Sequence, residues 1–217
     1  MIRNYCLSKT ATLLKGRKGG PQSGGLWVDS RGKRVGRRAI LKAGISLGIA
    51  LSLGEESPGQ ENGASQRPKE GDLLVKVGDA TVTPLTPADI PVGAKQTMAW
   101  AMDPTNKTVR SGSRLNRVLL LRLDQEKLSP ETKSHAADGV VAYTAICTHT
   151  GCEVTEWAAD EQILVCPCHE SRFDPKDAAR VVDGPAPRSL PALPLKLANG
   201  TLVVAKPFTA AIGFEVQ

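Results

Sequence analysis

Four of the chain's five cysteines and two of its three histidines fall in one short stretch, between Cys147 and Ser171. They form two hexapeptides, Cys147-Thr148-His149-Thr150-Gly151-Cys152 and Cys166-Pro167-Cys168-His169-Glu170-Ser171, with 13 residues between them. Each supplies two cysteines and one histidine. Three ordinary explanations are open. A structural zinc site takes four ligands, and six candidates overfill it. Two disulfides in an exported protein would use all four thiols, but they leave both histidines unexplained, and Cys166 and Cys168 stand too close in sequence to bond each other easily. A catalytic Cys/His pair has no use for the duplication.

The rest of the body reads as strands. From Gly71 onward, short apolar runs are separated by turn residues. Strands are expected at 73–77, 96–102, 117–123, 140–146, 162–166, 180–182, 195–198 and 201–205, with 81–83 pairing back on the first. Pro84, Pro87 and Pro91 punctuate a loop. The polar stretch 125–137 is a short helix or a loop. Asn199-Gly200 is a two-residue hairpin turn, because both residues tolerate the positive φ that such a turn requires. These features make the body all-β. Trp100 and Trp157 read as packing residues, His135 as a solvated surface residue, and Asp124, Glu126 and Glu131 as a solvated stretch. No glycine-rich phosphate loop and no substrate pocket is evident, so independent catalysis is not expected.

The net charge of +6 suggests nucleic acid until its distribution is read. Residues 1–53 hold 11 Lys/Arg and a single acid, Asp29, whereas residues 54–217 hold 17 Lys/Arg and 21 Asp/Glu. The basicity therefore belongs to the first quarter, and the body has no phosphate-tracking stripe. That quarter includes Arg37-Arg38-Ala39-Ile40-Leu41-Lys42 and an apolar stretch to Leu53. Two adjacent arginines ahead of a short apolar segment resemble a twin-arginine export signal, although Ala39-Ile40 replaces a commoner Phe-containing pattern and the preceding segment is long. The segment 39–53 is short for a span of roughly 20 residues, yet it lacks a clean cleavage site, so membrane association through it is an expectation. Cys6 is a bystander in this leader. Residues 54–70 lack large apolar side chains and are expected to be a flexible linker, leaving 71–217 as the folded domain.

The two hexapeptides resemble the paired boxes of the Rieske family, C-x-H-x-G-C and C-P-C-H-x-S. The resemblance covers about residues 140–189 and implies an antiparallel β-sandwich with a small cluster-binding subdomain at about 140–190. It also implies one [2Fe–2S] cluster, with one iron on Cys147 and Cys166, the other on His149 and His169, and a disulfide between Cys152 and Cys168 clamping the two loops. Two neutral imidazoles leave their iron less electron-rich than two thiolates would, which moves the potential to roughly −150 to +300 mV, against about −400 mV for plant-type ferredoxins. The clamp suits an oxidising compartment such as the periplasm, or the periplasmic face of the inner membrane. It argues against ring-hydroxylating oxygenases, whose boxes usually lack those two cysteines. The implied partners are redox proteins: a cytochrome b- or c-type complex with quinol as donor, or the large subunit of a molybdenum or other dehydrogenase, as in arsenite oxidase-like pairs. A structural metal module with no redox role stands as the third reading.

Other positions extend the resemblance or depart from it. Ser171 stands where the family's serine donates to a bridging sulfide. Gly184-Pro185-Ala186-Pro187 resembles the proline loop that covers the cluster. Thr150 replaces an apolar residue common in quinol-oxidising members and Glu170 replaces a usual glycine; both weaken quinol docking without touching ligation. Phe173 falls where high-potential members often carry a tyrosine that donates to a ligand sulfur. The lost donor implies a lower potential here. Phe173→Tyr is therefore expected to raise the midpoint in protein-film voltammetry, and an unmoved midpoint would contradict this role for the position.

Overall fold

Leucine and valine dominate the run Val118–Arg122, where four successive residues are buried, so both faces of that strand lie in apolar surroundings. This double burial organises the fold. The computed structural model describes residues 63–214. In chain order the elements are β1 (Leu73–Lys76), β2 (Thr97–Met102), β3 (Val118–Arg122), α1 (Pro130–His135), β4 (Val140–Thr144), β5 (Glu156–Ala158), β6 (Ile163–Val165), β7 (Arg172–Asp174), β8 (Arg180–Asp183), β9 (Leu195–Ala198) and β10 (Thr201–Val204).

Two antiparallel sheets result, one of six strands in the order β4-β3-β2-β1-β10-β9 and one of four in the order β5-β6-β7-β8. Successive side chains in a strand point to opposite faces, and β3 and β4 use this to serve two cores. Val118 and Leu120 of β3, with Val140 and Ala142 of β4, join Leu74, Ala99, Ala101, Leu202 and Val204. Leu119 and Leu121, with Val141 and Tyr143, face the other way, toward Leu164 of β6 and Phe173 of β7. The large sheet curls until its ends meet: Leu193 donates to the Ala142 carbonyl and Thr144 to that of Pro191, each at 2.9 Å.

The all-β expectation holds, and most expected strands lie within a residue or two of their places. The hairpin turn is formed with Asn199 at φ 50° and Gly200 at φ 75°, joining β9 to β10. Pro130 at the first helical position and Ser129, whose hydroxyl accepts from Thr132 N–H, start the short helix. Two strands, β5 and β7, were not expected. Each is three residues long, with too few alternations to show a period. Residues 81–83 do not form a strand. The Asp79 carboxylate instead accepts from the Thr81 and Thr83 amides and curls this segment into a turn, and pairing with β1 resumes at Pro84.

The expected linker needs correction over its described part, 63–70; its first residues, 54–62, lie outside the described residues. Residues 63–70 are bonded to the body. Gly112 N–H donates to the Ala64 carbonyl, the fully buried Asn116 donates to the Gln66 carbonyl at 2.7 Å, and Arg67 donates to Asn116 Oδ1 at 3.1 Å. The absence of large apolar residues is offset by this polar network, in which Asp72 and Arg110 pair through two bonds of 2.6 and 2.8 Å while only 3% exposed. Arg110→Ala would leave Asp72 buried without its counter-charge. Loss of one partner of a buried pair costs about 3–5 kcal/mol, so denaturant unfolding of this variant is expected to show a loss of that size.

Candidate metal centre

Two loops of like construction carry the cysteines and histidines. The first follows β4. In it Cys147 N–H donates to the Cys152 carbonyl at 2.8 Å and Gly151 N–H to that of Cys147 at 3.1 Å. The second joins β6 to β7, and Cys166 N–H donates to the Ser171 carbonyl and Glu170 N–H to that of Cys166, each at 2.9 Å. In both loops the fifth residue turns through positive φ: Gly151 at 79° and Glu170 at 56°. That geometry suits glycine and strains glutamate. It accounts for the glycine in the first hexapeptide and makes Glu170 the departure.

The loops are joined by a disulfide between Cys152 and Cys168, with Cα atoms 6.5 Å apart. Cys147 and Cys166 remain free thiols and are both buried. The sulfurs of Cys152, Cys166 and Cys168 lie within 4.8 Å of one another, but two of the three are used in the disulfide, so this trio is not itself a ligand set. His149 and His169 come together at the rim with ring centroids 4.6 Å apart, edge to face. His169 is exposed and His149 partly buried. The four cysteines and two histidines of the hexapeptides thus converge as two buried thiols, two imidazoles nearer the surface and one disulfide.

A third loop closes over them. Gly184 lies against Ser171, at φ 86°, and a Cβ there would stand 2.6 Å from Ser171 Cα and 2.9 Å from its nitrogen. Ala186, buried, donates its N–H to Ser171 Oγ at 3.2 Å. Pro185 and Pro187 face solvent on either side. Ser171, fully buried, also exerts a downward pull on the Cys147 thiol, so the proline loop and the first loop both meet at this serine. Phe173 lies in the same core as both free cysteines, opposite Leu164 on the neighbouring strand. Thr148 carried no signal in the sequence, yet it is fully buried and its hydroxyl donates to the Arg188 carbonyl at 2.6 Å, across 40 residues of chain. The pairing depends on tertiary structure and has no local pattern. Arg37, Arg38 and Cys6 lie outside the described residues, as does the segment 39–53.

The donor set fits an iron–sulfur cluster on the structure's own terms. Burial pushes the Cys147 thiol above its ordinary range, against the pull of the His149 backbone N–H on its sulfur, and the neighbouring Cys166 adds to the upward push. Two buried sulfurs side by side are poorly placed as bare thiolates and well placed around a cation. His149 Nδ1 is buried with no hydrogen-bond partner. An unpaired buried acceptor of this kind is costly unless something binds it, and imidazole nitrogen is a common metal donor.

Comparison with known proteins agrees. Residues 100–194 match the family described as the Rieske [2Fe-2S] domain. The chain is 34% identical over 128 residues to the cytochrome bc1 complex Rieske iron-sulfur subunit of Streptomyces lividans, a match covering 57% of this chain and 73% of that one. The chain belongs to the Rieske family. The domain of this family carries one [2Fe–2S] cluster. Further relatives are a putative respiratory nitrate reductase subunit Rieske of Haloferax mediterranei, 38% identical over 106 residues, covering 48% of this chain and 47% of that one, and the cytochrome bc1 complex Rieske iron-sulfur subunit of Corynebacterium glutamicum, 38% identical over 105 residues, covering 45% and 26%. The chain thus spans most of the first relative and under half of the other two.

Gly184→Ala tests the closing loop. Its new methyl meets Ser171 backbone, which cannot swing aside, at a φ that side chains rarely adopt. Strain of this kind costs on the order of 1–3 kcal/mol. A matching fall in unfolding stability is expected, with faster loss of the cluster's visible absorbance under chelator.

Proposed function

We propose that the chain is an exported electron-transfer subunit, the Rieske iron–sulfur protein of a quinol–cytochrome c reductase-like complex. The observation that carries this reading is the pair of imidazoles at the exposed rim above two buried free thiols, held by a disulfide-clamped pair of loops. In this reading Cys147 and Cys166 hold one iron and His149 and His169 the other. When bound, the cluster accepts and releases one electron at a time. The protein supplies what surrounds it. Buried Cys147, Cys166, Ser171 and Phe173 keep water from the sulfur side. His169 is the exposed imidazole, the group able to meet a partner or to exchange a proton with a quinol hydroxyl. Thr150 and Glu170, both exposed beside the histidines, give this rim a more polar character than a quinol pocket favours.

Export rests on Arg37-Arg38 and the apolar segment 39–53, and on the disulfide, which persists in an oxidising compartment such as the periplasm. Among the described residues no helix is long and apolar enough to cross a membrane. Attachment to the inner membrane would therefore fall to residues 39–53. The two relatives named as cytochrome bc1 subunits support a cytochrome complex as partner. The Haloferax relative supports a second reading, in which the chain relays electrons for the large subunit of a molybdenum or other dehydrogenase. Affinity purification from the native membrane separates them: a cytochrome b co-purifies under the first, a large oxidoreductase subunit under the second.

Ligation is tested separately. The purified protein is expected to show a reducible rhombic EPR signal together with acid-labile sulfide. Cys166→Ser and His169→Ala are each expected to abolish that signal. A variant that kept it would remove its residue from the ligand set, and zinc in place of iron would overturn the reading as a whole.

A further inference from the structure

The segment that follows β10 returns to the cluster loops. It is fastened at Ala205, whose N–H donates to the Pro194 carbonyl at 2.7 Å, and again at Thr209, whose N–H donates to the Ala192 carbonyl at 2.9 Å and whose hydroxyl accepts from Ala192 N–H at 3.0 Å. Five residues on, it reaches both ends of the first loop. Gly213 lies over Ile146, the residue before Cys147: a Cβ on Gly213 would stand 3.5 Å from Ile146 Cγ2. Phe214 lies over Gly151, where a Cβ would meet the ring at 3.3 Å and the Arg114 guanidinium at 3.4 Å. Arg114 in turn donates to the Gly151 carbonyl at 2.6 Å. The Gly213 carbonyl accepts from Arg188 Nη2 at 2.7 Å, and the Arg188 carbonyl accepts from Thr148 in the middle of the first loop.

We propose that Gly213-Phe214 is a strap that positions the first loop, with Phe214 the positioning residue that fixes the Gly151 turn and, through it, Cys147 and His149. The argument rests on the ligand reading above only for its redox consequence. The loop's own backbone bonds are few, and its tip residue Thr150 is exposed. Gly151 has no side chain with which to pack, and the groups that stand over its open side come from outside the loop, the Phe214 ring and the Arg114 guanidinium. Half of the Phe214 surface stays exposed, at 51%, so the side chain contributes little to the main cores. Its contacts are spent on the turn. Local opening of a loop with few internal contacts is governed by such external bracing.

The test uses the full chain with Phe214→Ala, and Phe214→Leu as the conservative variant. Amide hydrogen exchange is followed by peptide, with EPR line shape and midpoint recorded alongside. Phe214→Ala is expected to speed exchange at 147–152 by about tenfold while peptides of β1 to β4 keep the parent rate, with Phe214→Leu restoring most of the protection. The EPR lines of the variant are expected to broaden and the midpoint to move. Parent-like exchange at 147–152 would overturn the strap, and so would acceleration shared equally by β1 to β4, which reports general loss of stability. Should the parent chain itself give no rhombic signal, the ligand reading fails, while the exchange data still decide the strap.

Discussion

The bond between Cys152 and Cys168 is the constraint on which the site depends. It removes two of the four thiols from any competition for metal, so the remaining pair, Cys147 and Cys166, is defined by subtraction. It also fixes the distance between two loops that come from different parts of the fold, one leaving β4 of the large sheet and the other joining β6 to β7 of the small one. A metal centre whose ligands come from two loops needs those loops held before the metal arrives, because a site assembled only by the metal would charge the cost of ordering them against binding. A covalent tie beside the ligands meets that need at the point where it matters most.

Behind the tie, the strands set the direction of approach. β3 and β4 separate two cores, and the first loop leaves the end of β4 directly at their junction. The core that faces the small sheet contains Cys147, Cys166 and Phe173 together with Leu119 and Tyr143, so the sulfur side of the site is continuous with ordinary apolar packing. The imidazole side projects out of it. One end of the donor set is thereby shielded and the other presented, which is the asymmetry a one-electron carrier needs: a low-dielectric support around charge, and an exposed edge through which a partner can be reached. The proline loop adds the cover between the two, and the contact of Gly184 with Ser171 shows how little space was left for it.

Much of this was legible in the residues because the relevant chemistry is local. Two hexapeptides rich in sulfur and imidazole announce a metal centre wherever they sit, and strands with clear alternation announce themselves over five or six residues. What stayed hidden depends on pairs far apart in the chain. β5 and β7 are too short to display a period, and they exist because β6 and β8 supply partners. The segment 63–70 reads as linker because its composition is polar, and it is held because Asn116 and Arg110 offer buried partners that composition alone cannot reveal. Thr148, Arg114 and Phe214 are of the same kind: unremarkable residues whose role follows from a carbonyl or a glycine 37 to 63 positions away.

The departures from the family's usual sequence bear on the partner and leave ligation alone. Glu170 occupies a left-handed position that would suit glycine, and the backbone bonds of its loop are formed regardless, to the Cys166 carbonyl and from Cys166 to Ser171. The loop therefore keeps its shape and gains an exposed negative charge beside His169. Thr150 in the other loop likewise replaces apolar surface with a hydroxyl at the rim. A surface altered in this way keeps the donor set and changes the face that meets a second protein. Electrostatic complementarity acts mainly on encounter and specificity, and Glu170, with Asp183 exposed at the start of the proline loop, places negative charge on that face. The two loops thus keep their backbone bonds while Thr150 and Glu170 change only the exposed face around the histidines.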